Sequence, residues 1–139
     1  MHQAARGAEI YLFACATCHG RTGLGFEQAV MAFPEDHRQC SSCHHPQNSP
    51  TMPGSQVGLS TMAFSLGEPP PLADRERLER FVTAGALYHY VRAAMPRWSP
   101  GRLSDDAYLD VTSHLLRLTG IFAADDTLGL EQLDRELGK

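Results

Sequence analysis

Lysine is almost missing from this chain: of its twelve basic residues eleven are arginine, and Lys139 is the sole lysine. We read that skew as codon bias before function. No basic stripe accompanies the net charge of -4, which excludes the usual nucleic-acid binder. No apolar run approaches the roughly 20 residues that span a bilayer. The opening Met1-His2-Gln3-Ala4 lacks a basic region followed by an apolar one. No signal peptide is visible there, and a removed signal or anchor would leave the same trace. No alternating strand pattern appears, and no acid–base cluster suggests catalysis. What remains is ordinary globular composition, 42% hydrophobic and 20% charged over 139 residues, which fits one domain over 1–139.

Four cysteines decide the class. Cys15-Ala16-Thr17-Cys18-His19 and Cys40-Ser41-Ser42-Cys43-His44 repeat one pattern, with none left over for a disulfide. It is the signature of covalent haem attachment. Two thioether bonds to the vinyl groups need sulfurs one helical turn apart, and the next residue then offers its imidazole to the iron. The pattern therefore predicts two haem c groups, held by Cys15 and Cys18 with His19, and by Cys40 and Cys43 with His44. Two plainer readings compete: a four-thiolate zinc site across the 21-residue spacing, and a pair of redox-active dithiols. Neither accounts for the histidine after each pair. With 7 histidines in 139 residues, two such placements by accident are roughly a one in 400 event.

Elsewhere the chain reads as all-α. A first helix is expected over 4–19, with Ile10, Tyr11 and Ala14 on its apolar face. The Gly20–Gly25 run bends sharply; it neither follows a strand nor opens a helix at phosphate-binding spacing. Residues 26–72 look irregular, broken by Pro34, Pro46, Pro50, Pro53 and Pro69-Pro70-Pro71. The second haem motif lies inside this stretch, where a haem would act as the missing core. Helices are expected over 75–82, with Leu78, Phe81 and Val82 on the apolar side, and over 87–94, stopped by Pro96. The strongest helix runs over 104–119. Ser104 suits its N-cap, Asp105 and Asp106 suit the positive end of its dipole, and Gly120 ends it. Tyr108, Val111, Leu115 and Leu118 form its stripe. A short tail helix is expected over 128–137.

These residues resemble the class I cytochrome c family, in the bacterial branch often coupled to oxidoreductases. The resemblance covers 4–24 and 68–121. It is carried by Gly7-Ala8-Glu9-Ile10-Tyr11 leading into the first haem motif, by Pro70-Pro71-Leu72, by Leu87 through Met95-Pro96, and by Ser99-Pro100-Gly101-Arg102-Leu103-Ser104-Asp105-Asp106 into the last long helix. It implies a helical fold around haem, with the first helix packed across the last. It also implies Met95 as sixth iron ligand, the Pro71 carbonyl orienting His19, and Arg97 and Trp98 as donors to haem propionates. For Met95 a plain core methionine is the other reading, and for Trp98 simple packing. A soft, neutral thioether favours reduced iron, which agrees with Met95 as ligand.

The stretch 26–67 departs from that family as a long insert, and it leaves the second haem's sixth ligand open among Met62, Met52, His37 and His45. His45 directly follows His44 and cannot reach the far side of the same ring. His37, seven residues earlier, would fall on the same helical face. Met52 and Met62 have chain enough, since eight extended residues span about 26 Å. His89 and His114 read as surface or core histidines. Function is expected to be single-electron transfer between a redox donor and acceptor, with no small-molecule substrate and with association to a membrane complex open. The resemblance implies a periplasmic or extracytoplasmic membrane-face location. A haem enzyme or sensor using an open site at the second haem is the alternative.

Overall fold

The computed structural model describes residues 2–35 and 68–138. Cys40, Cys43, His44, Met52, Met62, His37 and His45 lie outside them. Among the described residues the protein is all-α, with no strand and one isolated bridge between Thr83 and Glu136. Six helices run in chain order: α1 Gln3–Ala14, α2 Ala16–His19, α3 Phe26–Met31, α4 Arg75–Glu79, α5 Ala84–Ala94 and α6 Asp105–Leu118, followed by a 3-10 turn at Leu130–Gln132. None of the described helices is long and apolar enough to cross a membrane.

The core sits where α1 crosses α6. Gly7 and Tyr11 form the buried stripe of α1, with Ile10 partly buried beside them. A Cβ on Gly7 would stand 2.2 Å from the Asp110 carbonyl oxygen and 2.9 Å from the His114 Cβ, so the two backbones meet through the absence of a side chain. Arg6 closes the crossing with two bonds to Asp110, 2.7 and 2.9 Å. The expected α6 is present: the Ser104 hydroxyl accepts from the Ala107 amide at 3.2 Å, and Tyr108, Val111 and Leu115 are buried. His114 packs against Tyr11 with the rings tilted by 46° and their centroids 5.1 Å apart.

Burial, then the charge of Arg117, holds the His114 imidazole below its ordinary pKa. The folded state therefore favours neutral His114. Its contribution is fully present above the unfolded value of about 6.5 and is lost as pH falls below it through the folded value. In urea unfolding at about pH 7.5 and about pH 5.5, His114→Gln is expected to lose less stability on acidification than the parent. Equal losses in both proteins would remove His114 as the cause.

Four expectations need correction. The first helix does not run unbroken over 4–19; it breaks at Cys15, whose backbone leaves helical geometry at φ -120° and ψ -39°. Residues 26–31 are helical, because Phe26-Glu27-Gln28-Ala29-Val30-Met31 holds neither glycine nor proline and Gln28 folds back onto Thr22 and Leu24. The tail does not form a helix over 128–137. Its Leu133 and Arg135 carbonyls instead accept the Gly85 and Ala84 amides (2.8 and 2.9 Å), which α5 leaves without intrahelical partners. Finally, Val82 is exposed instead of sharing the apolar side with Leu78.

Val82 adopts φ 69°, the left-handed region, in a tight turn closed by the Thr83 amide on the Phe81 carbonyl at 2.7 Å. A β-branched residue is strained there by about 1–2 kcal/mol. Val82→Gly is expected to raise the urea midpoint, for a net gain of about 1 kcal/mol after the added chain entropy of glycine. A lowered midpoint would show that the valine side chain stabilises more than its backbone costs.

Candidate functional site

The site begins at the break in α1. The Cys18 and His19 amides both reach the Cys15 carbonyl (3.1 and 2.9 Å), so the two sulfurs stand one turn apart and His19 follows directly. Gly20, at φ 84°, then reverses the chain; a Cβ there would strike Gln28. The buried Tyr11 hydroxyl donates to the Gly20 carbonyl at 2.7 Å, and the Gly25 amide donates to that of His19 at 2.8 Å. These ties fix the backbone on the carboxyl side of the imidazole.

The His19 ring is buried, and its Nδ1–H donates to the Pro70 carbonyl at 2.9 Å. The expected partner was Pro71. The register is set by the Leu72 and Ala73 amides, which both donate to the Gly23 carbonyl at 2.7 and 2.9 Å. Pro71 is held against Gly25, where a Cβ would stand 3.1 Å from its nitrogen. In a proline run successive carbonyls point about a third of a turn apart, so one residue of register changes which of them faces His19. With Nδ1 engaged, Nε2 is the nitrogen left to act as a ligand. Burial lowers the His19 pKa, with the Pro70 bond pulling the other way, and the neutral ring is the form with a lone pair.

Cys15, Cys18, His19 and Met95 all line one cleft of about 320 Å³. Its apolar wall comes from Leu72, Leu78, Leu87, Val91 and Leu115, contributed by the chain after Pro71 and by α4, α5 and α6. Arg77, Arg97 and Trp98 also line it, the last two from an exposed position. Trp98 is 51% exposed with the Arg102 guanidinium 4.8 Å from its ring centre, so it is not a core residue. Met95 ends α5: its amide closes the last turn on Val91 at 2.9 Å, and Pro96 cannot extend the helix.

The surroundings of both thiols disfavour the thiolate form. Burial, then the neighbouring Cys18, pushes the Cys15 pKa up to about 12, and burial raises that of Cys18. A reactive dithiol needs a lowered value. Among the described residues no three His, Cys, Asp or Glu side chains gather as a metal site. His89 is exposed and His114 belongs to the α1–α6 crossing, as surface and core histidines.

Sequence reasoning missed Tyr11, Tyr108, Pro70 and Arg77 as parts of this region. The tyrosines carried a signal, since a buried phenol needs a hydrogen-bond partner. Arg77 carried none, looking like any charge on a short amphipathic helix. No protein-family model matches the chain, and neither curated proteins nor solved structures give a match.

Proposed function

We propose that this chain is a c-type cytochrome, a carrier of single electrons rather than an enzyme. More particularly, we read it as a dihaem member of the class I kind, with one haem in the described cleft and the other on Cys40, Cys43 and His44. The observation that carries the reading is the convergence of two free sulfurs one turn apart, a buried imidazole with Nδ1 engaged, and a methionine sulfur on one apolar cleft.

That donor set fits a covalently held haem. Cys15 and Cys18 would form the thioethers, His19 Nε2 would face the iron, and Met95 would supply a soft sixth ligand. Bound there, the group supplies a reversible one-electron iron couple. The chain's own work is to orient and insulate: Pro70 fixes the His19 tautomer, and the leucine-rich wall excludes water. Arg77, Arg97 and Trp98 are cleft-lining donors suited to propionate carboxylates. The α1–α6 crossing through Gly7 supports the class I fold. Met52 and Met62 remain the candidates for the second haem's sixth ligand. Partners would be a redox donor and acceptor on the periplasmic or extracytoplasmic side, with association to a membrane complex left open.

Intact mass spectrometry of protein matured with a haem-attachment system tests the reading. Two haem additions are expected. A polypeptide that weighs no more than its amino acids would end it.

A further inference from the structure

We propose that Tyr108 is the positioning residue for Met95, and that its hydroxyl sets how firmly the Met95 sulfur holds iron; the inference rests on the haem reading above. Tyr108 is 1% exposed, on the first turn of α6, and its hydroxyl donates to the Met95 carbonyl at 2.7 Å. Met95 lies just past the end of α5, with φ -125° and ψ 152°. Its amide still closes the last turn on Val91, whereas its carbonyl has left the helical ladder and takes the phenol of a different helix. The methionine backbone is thus held on both sides, once by α5 and once by α6. Through Tyr108 the α6 end of the core reaches the cleft.

A second tie spans the same turn. The Arg92 guanidinium bonds Asp105 at 2.6 Å, but those side chains are 50% and 64% exposed. An exposed pair of this kind contributes little. The Tyr108 side chain is 1% exposed, so the positioning falls to its phenol. Of the other two buried tyrosines, Tyr11 ties the chain next to His19, and Tyr88 bonds the Arg92 side chain.

The test is an imidazole titration of the ferric holoprotein, read on the haem whose spectrum Met95→Ala alters, together with its reduction potential. Imidazole binds where the sulfur lets go. Met95→Ala is expected to bind it most tightly. Tyr108→Phe is expected to bind it at least about tenfold more tightly than the parent, with the potential moved toward the Met95→Ala value. Arg92→Gln should titrate like the parent. If Met95→Ala binds tightly and Tyr108→Phe matches the parent, the role of Tyr108 is refuted while the haem reading stands. If Met95→Ala itself matches the parent, Met95 is no ligand and the role of Tyr108 falls with it, while covalent haem attachment stands or falls on the intact mass. Should Tyr108→Phe fail to fold, a fluorinated tyrosine placed at 108 keeps the ring and donates more strongly. Imidazole affinity must then fall, and an unchanged or higher affinity overturns the proposal.

Discussion

If the described cleft holds haem as proposed, protein made with His19→Ala is expected to lose the absorption of a nitrogen-ligated haem there, with a more than tenfold drop in that haem's incorporation. The cleft lining explains the size of the effect. Apart from His19 the lining is mostly apolar, and its other possible donors to iron are the Cys15 and Cys18 sulfurs, the Met95 thioether, the Glu68 carboxylate and the Tyr90 phenol. No neighbouring lining side chain offers a second imidazole. Added imidazole should restore the spectrum in part, because the vacated space is the right shape for it. His89→Ala, on the exposed face of α5, should change nothing. A His19→Ala protein with the parent's spectrum would mean that iron is held elsewhere.

Gly7→Ala is expected to be the most damaging single methyl group in the described fold. Alanine would ordinarily improve an α-helix by about 1 kcal/mol over glycine. Here the new Cβ would lie 2.2 Å from a backbone oxygen of Asp110 and 2.9 Å from its carbon. Backbone cannot swing aside as a flexible side chain can, so α1 must lift from α6. That movement would strain the Arg6–Asp110 pair and separate Tyr11 from His114. Overpacking of this kind costs about 3 kcal/mol, which leaves a net loss of about 2 kcal/mol after the propensity gain. Urea unfolding checks it. A variant as stable as the parent would show that the crossing is looser than its geometry.

The elements that could be read in advance are those whose partners lie close in sequence. Ser104, Asp105 and Asp106 announce α6 because a cap and a dipole act within one turn, and the Tyr108–Leu115 stripe follows one period. The spacing of Cys15, Cys18 and His19 is likewise local, and the structure brings them to one cleft with Met95. What could not be read depends on distant chain. The tail has helical composition, yet the bare amides of α5 claim its carbonyls. Which proline faces His19 depends on a tie to Gly23, some fifty positions away in sequence. The strain at Val82 is invisible in a residue type that normally avoids positive φ.

The Arg6–Asp110 pair spans 104 positions, and the Gln3 side chain bonds both backbone groups of Leu128 across 125. A polypeptide emerging from its amino end therefore cannot complete this architecture until nearly all of it is available. Cys15 and Cys18 come out early and stay accessible throughout that interval. Once α6 and the tail dock, both sulfurs sit half-enclosed. The late arrival of the carboxyl-terminal partners thus sets an order of assembly; on the proposed haem reading, covalent attachment would precede closure of the fold.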